Sequence, residues 1–428
     1  MYAFDLLKTL LVSIFLTAVV LPTHAQDWSQ FRGPSFGKHS DSSPPVRWSS
    51  ENTGWKTKLP GPGASSPVTF GDRIYLTCYS GYGVQRGNPG EPKNLKRHVL
   101  CINSSNGKVA WEKKIGAKSS KNQYTQWAVA LHGYASSSPV VDESGVYLYL
   151  GDAGCVAFDH DGKQRWTFDC GDRTHMFGSG ASPVLYKDLV IVNACPESGS
   201  LIAINKKSGK EVWRQSNIKQ SWSTPAIYLN SGGSSELAIS MAGKVVAYKP
   251  EDGSELWSCP AIQGYVCPSI VVQDAIVYSI GGKNQKKAVA VRSGGTDDVA
   301  KSHKLWELNK GSNVGSPVVH DGHMYWAKED GIVYCVDLAT GNVIYEKRLE
   351  PKSGLVYASP LLSNGNLYYV SRENGTYVVA AKPEFELVAH NVIEGDESIF
   401  NASPIPSGAG LLLRSDHYLY QIVENPKQ

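Results

Sequence analysis

The chain has 428 residues, of which 41% are hydrophobic and 19% charged, and a formal net charge of +3. That length suffices for two or three ordinary domains, while low charge with 42 Gly and 22 Tyr suits an all-β protein rich in tight turns. Beyond the first residues no apolar stretch approaches the length of a membrane span, which excludes a polytopic helical membrane protein.

The chain starts with a targeting pattern. Lys8 precedes an apolar run from Thr9 to Leu21, and Thr23-His24-Ala25 offers a small-residue cleavage site before Gln26. Residues 1–25 are therefore expected to be a signal peptide cleaved near Ala25, and the protein to be exported to the periplasm or secreted. No cysteine stands near that point, so lipid attachment there is unsupported. Residues 26–45 form an N-terminal extension without a repeat pattern of their own.

A long repeat follows. Ser66-Pro67, Ser138-Pro139, Ser182-Pro183, Thr224-Pro225, Cys267-Pro268, Ser316-Pro317, Ser359-Pro360 and Ser403-Pro404 each precede a β-rich run. Successive prolines are 72, 44, 42, 43, 49, 43 and 44 residues apart. A period in the low forties, carried by Val, Ile, Tyr and Gly-containing turns, predicts an eight-bladed β-propeller of four-stranded antiparallel blades over residues 46–424, with a short tail at 425–428. Proline removes a ladder donor, so it marks the entrance of the innermost strand, whose edge lines the channel. The last repeat ends without an outer strand, while residues 48–59 have the look of one and no blade of their own. N- and C-terminal segments are expected to share the eighth blade and so remove an open sheet edge.

Within each repeat a strand leads to a glycine turn and, four residues on, usually a tryptophan, as in VAFDHDGKQRW at 156–166 and VAYKPEDGSELW at 246–257. Trp111, Trp166, Trp213, Trp257, Trp306 and Tyr345 then sit on outer strands as wedges between neighbouring blades. The eight cysteines lack zinc spacing; Cys155 with Cys170, Cys78 with Cys101, and Cys259 with Cys267 are conceivable pairs, and burial as small apolar residues is the other reading.

Two places draw attention as binding surfaces. The first-blade loop at 79–98 and the link at 116–133 are long, and the nine Lys/Arg between Arg86 and Lys121 face only Glu91 and Glu112. Lys93, Lys96, Arg97, Lys118 and Lys121 would form a basic patch there. The second is the channel mouth. Trp222, Tyr265 and Tyr357 stand three residues before their prolines, Asn401 does the same in the eighth blade, Asn313 precedes Pro317, and Tyr134 lies five before Pro139. Inner strands converge on the axis, so these side chains are expected to meet around one funnel suited to a sugar or peptide.

The strand, Asp/Asn-x-x-x-Gly-Lys turn and tryptophan resemble the pyrroloquinoline quinone (PQQ) repeat family over roughly residues 46–424, and the opening Trp28-Ser-Gln-Phe-Arg-Gly-Pro34 is similar to exported bacterial members. That resemblance implies one of two branches. Quinoprotein dehydrogenases hold PQQ and calcium in the channel, with a catalytic aspartate and often a disulfide of adjacent cysteines; the other branch consists of binding propellers such as the outer-membrane barrel-assembly scaffold. Here no adjacent cysteines occur, and no Asp or Glu lies within four residues before Pro225, Pro268, Pro317 or Pro360. Asp172, Asp396 and Glu397 are the best acidic candidates and lack an evident partner set. The expectation is a monomeric, non-catalytic, exported scaffold for an envelope or extracellular protein, peptide or polysaccharide, with no catalytic residues, no metal, no cofactor and no nucleic-acid partner. A PQQ- or metal-dependent oxidoreductase is the alternative.

Overall fold

Residues in the second and third strands of each repeat are apolar on both faces, which is what a strand pressed between two neighbouring sheets requires. In the computed structural model, which describes residues 27–39, 43–85, 87–118 and 132–424, Leu189–Ala194 is buried along its length and Glu211–Gln215, at the rim, is largely exposed or half-buried. The strands form eight antiparallel four-stranded sheets arranged as a propeller, two of them carrying one extra short parallel strand. The expected signal segment, Lys121 and the C-terminal tail lie outside the described residues.

The eighth blade is composite. Ile405–Ser407, Gly410–Arg414 and Tyr418–Ile422 come from the C-terminal end, and Thr53–Lys58 pairs antiparallel with Tyr418–Ile422 as the outer strand. N- and C-terminal segments thus supply one sheet, and the N-terminal strand gives the eighth blade its fourth member.

The Ser-Pro pattern has a physical cause. The amide of Ser66 donates to Ser138 Oγ, Ser138 to Ser182, Ser182 to Thr224, Thr224 to Ser269, Ser269 to Ser316, Ser316 to Ser359, Ser359 to Ser403, and Ser403 back to Ser66. These eight bonds of 2.9–3.2 Å close a circle around the axis. The fifth blade corrects the sequence alignment: Ser269, not Cys267, holds the hydroxyl position, two residues before the inner strand Val271–Gln273. Counting from the hydroxyl turns the uneven intervals of 43 and 49 into 45 and 47.

Farther from the axis, the tryptophans couple successive blades. Trp55, Trp111, Trp166, Trp213 and Trp306 each donate their indole N–H to a turn carbonyl of the next blade at 2.8–3.0 Å. The ring covers the glycine of that turn. A Cβ at Gly209, with φ at +69°, would stand 2.6 Å from the Trp166 ring, so only glycine fits. Trp257 is fully buried between the fourth and fifth blades, but donates to Glu236 Oε2 of its own blade. The fifth blade there has a long excursion, whose Asp297–Asp298 pairs alongside Glu255–Pro260, in place of the tight turn. Tyr345 packs in the core between the sixth and seventh blades, with its ring edge-on to Phe385.

All eight cysteines are free. Strand register opposes Cys78 to His98 and Cys101 to Tyr75, so those two do not face each other across the ladder.

Candidate functional site

The inner strands are short, and the segments leading into them turn their side chains toward the axis. They enclose a funnel of about 380 Å³ on the entry side of the hydroxyl circle. Trp222, Tyr265, Asn313, Tyr357 and Asn401 all line it, together with Phe177, His132, Lys283 and hydroxyls of the circle itself. Cys267 also lines it, occupying the place three before the true strand-entry position in the fifth blade.

One wall is aromatic. The Trp222 ring lies 4.9 Å from that of His175, 6.3 Å from Phe177 and 6.0 Å from Tyr265, and Phe177 approaches Tyr265 to 5.6 Å. Trp222 is fixed by its indole N–H, which donates to the carbonyl of Gly178 at 2.6 Å. Phe177, Tyr265 and Tyr357 are only half-buried, so their faces remain open to the funnel. Opposite, the guanidinium of Arg372 stands 5.0 Å over the Tyr357 ring. Burial raises the pKa values of the Tyr265 and Tyr357 phenols, keeping them as neutral donors, and pushes the His132 imidazole down to about 4. His132 Nδ1 lies 2.6 Å from Ser136 Oγ.

The floor was not legible in the sequence. Residues 27–39 run across the axis beneath the funnel. Trp28 and Thr69 exchange hydrogen bonds in the first blade, Val141 N–H of the second donates to Ser29, and Leu362 N–H of the seventh donates to Gly37. Lys38–His39 then pairs parallel with the inner strand Leu361–Ser363. Phe31 projects from this segment into the bottom of the funnel. The extension carries no repeat, so periodicity offered no signal; only the cluster of Trp28, Phe31 and Arg32 hinted at an anchored segment.

Tyr134 requires a correction. It is not among the funnel-lining residues but packs with Tyr79 and Tyr82 in a small separate cluster that includes Leu95 and Ala135. Arg97 also departs from expectation: it is 3% exposed and ion-paired with Asp152 across the first two blades, so it belongs to no surface patch. Lys118 is exposed and paired with Asp169 at 2.6 Å; Lys93 and Lys96 are exposed. Of the acidic candidates, Asp396 accepts bonds from the Ser398, Ser415 and Tyr420 hydroxyls in the eighth blade, while Asp172 and Glu397 are exposed.

The donor set bears on a cofactor. No carboxylate is among the described residues lining the funnel, and among the described residues no cluster of three or more His, Cys, Asp or Glu is placed to hold a metal ion. Calcium takes six to eight oxygen ligands with carboxylates prominent, so this lining does not fit a calcium–PQQ centre.

A family model described as outer membrane protein assembly factor BamB matches residues 48–221, 197–297 and 298–384. The outer membrane protein assembly factor BamB of Yersinia pestis is 23% identical over 340 residues, covering 74% of this chain and 77% of that protein. The quinoprotein alcohol dehydrogenase PedH of Pseudomonas putida is 26% identical over 204 residues, 44% of this chain but 30% of its own length. The crystal structure of BamB from Moraxella catarrhalis superposes with a TM-score of 0.57 at 12% identity, covering 86% of this chain and 98% of that one, a likeness in fold.

Proposed function

This chain belongs to the outer membrane protein assembly factor BamB family of PQQ-repeat propellers, and from that premise we propose that it is an exported, non-catalytic scaffold of the cell envelope that binds a protein segment in its funnel. The observation carrying this reading is the funnel itself: half-buried rings of Phe177, Tyr265 and Tyr357 beside the buried Trp222, hydroxyl and amide groups between them, and no carboxylate in the described lining. Aromatic faces take up apolar side chains and sugar rings, and the fixed Asn and Ser groups match peptide polar atoms. That described lining carries no carboxylate to hold a calcium ion or to serve as the catalytic aspartate of a quinoprotein. The exported state, cleavage near Ala25 and a monomeric ring complete the proposal; among the described residues no helix is long and apolar enough to cross a membrane.

The test is a photo-crosslinking residue at Lys283, on the funnel wall, in cells fractionated for envelope proteins. Discrete adducts should form, and the double variant Trp222→Ala, Tyr357→Ala should lose at least tenfold of them while keeping its circular dichroism. Unchanged adducts in the folded double variant would move the site to the exposed Lys93–Lys96 face. Calcium-dependent PQQ binding coupled to alcohol oxidation would replace the scaffold reading with the oxidoreductase.

A further inference from the structure

Below the funnel floor lies a second cavity, of about 50 Å³, bordered by Arg32. One water needs roughly 10–15 Å³ on this measure, so the space admits something larger than a single water. Arg32 is 4% exposed. Its Nη2 donates to the carbonyls of Phe36 and Pro317, whereas Nε and Nη1 have no acceptor among the described residues. No carboxylate among the described residues pairs with it, and burial alone pushes its pKa down to about 9. A buried guanidinium without a counter-charge is costly, and the fold holds this one between the N-terminal segment and the sixth blade.

The rest of the cavity supplies matching donors. Thr224 and Ser269 border it, and each of their oxygens already accepts an amide of the hydroxyl circle, which leaves the hydroxyl hydrogen to donate. Most of the other walls are apolar, among them Val184, Ile227 and Ile270; Gln30 adds one neutral amide, and none is acidic. One fixed positive charge, two hydroxyl donors, a neutral amide and no carboxylate select a small monovalent anion.

We propose that Arg32, Thr224 and Ser269 form a halide-type anion site that fastens the N-terminal segment under the channel. The ion would join that segment to the fourth and fifth blades, where the described hydrogen bonds of residues 27–39 instead reach the first, second, sixth and seventh. This assignment stands whatever the funnel binds.

Bromide anomalous diffraction on wild-type crystals grown in millimolar bromide tests it directly. A peak beside Arg32 is expected. Its absence, or its appearance only at molar bromide, overturns the proposal. In solution, Tm of the full chain at constant ionic strength should rise saturably when chloride or bromide replaces fluoride, and Arg32→Gln should abolish that rise. A folded Arg32→Gln protein with the wild-type halide response also overturns the site; should that variant not fold, the diffraction result on the wild type decides alone.

Discussion

The two layers that join neighbouring blades follow different rules. Near the axis, the hydroxyl circle is complete at all eight junctions, with one amide and one oxygen per blade. At the rim, the indole-to-carbonyl wedge operates at five junctions and is replaced at the others: by Glu236 under Trp257, by Phe385 beside Tyr345, and by Trp48 stacked on Tyr368 next to the composite blade. At the axis each blade presents a backbone amide in a fixed position, and a buried amide needs an acceptor, which the neighbouring blade's hydroxyl supplies. Space opens outward, and several side chains can fill the same gap. Polar geometry therefore constrains the inside of this propeller, and volume constrains its outside.

The largest expected effect is at the rim. Trp213→Ala removes a buried ring and its bond to the Pro250 carbonyl, and should cost about 3–5 kcal/mol in chemical unfolding. A loss below 1 kcal/mol would mean the rim layer is dispensable even where it is regular.

Acid probes the inner layer from the funnel side. Folded His132 stays neutral down to about 4, chiefly through burial and in part through the nearby Arg372, while the unfolded imidazole protonates near 6.5. Its folded pKa is lowered, so protons favour the unfolded chain as pH falls from 6.5 toward 4, a loss on the order of 2–3 kcal/mol. His132→Gln should flatten that part of the stability profile, and an imidazole resonance titrating near 6.5 in the folded protein would refute it.

Ser138→Ala leaves the buried Ser66 amide without its acceptor and should cost about 1–3 kcal/mol, although it deletes a single oxygen. If it proves as harmless as a surface change, the circle is a by-product of packing rather than a constraint.

The smallest effect separates the two kinds of rim junction. Tyr345 Oη is buried with no partner among the described residues, so Tyr345→Phe should be neutral or stabilising by up to about 1 kcal/mol. Trp213→Phe, at a regular junction, should destabilise instead. Equal effects in one unfolding series would erase the distinction.

The same contrast explains what could be read from the chain. Ser-Pro and Gly-x-x-x-Trp are short patterns set by contacts that recur at each blade, so blade number, closure and the axial placement of Trp222, Tyr265, Asn313, Tyr357 and Asn401 followed from spacing. Cys267-Pro268 misled because the proline marks only an edge; the hydroxyl of Ser269 is what the neighbour needs. Arg97 looked like part of a surface run because charge counts carry no direction, and an eight-residue strand turns it inward toward Asp152. Tyr134 failed because counting back from a proline cannot follow a long link. Trp55 escaped attention since its partner turn at Gly107 belongs to the first blade while its own strand completes the eighth.

The composite blade also has a consequence for how the molecule is made. Thr53 opposes Ile422, 369 positions away, so a strand synthesised near the start must wait for nearly the whole chain before it finds its partner. Such distant pairing carries a large loop-closure entropy and is slow to form. Seven blades can assemble from local hairpins as the chain emerges, but an arc of seven exposes the apolar faces of its two terminal blades. Arrival of Tyr418–Ile422 beside Thr53–Lys58 converts that arc into a circle, which makes this one pairing the checkpoint for a closed ring.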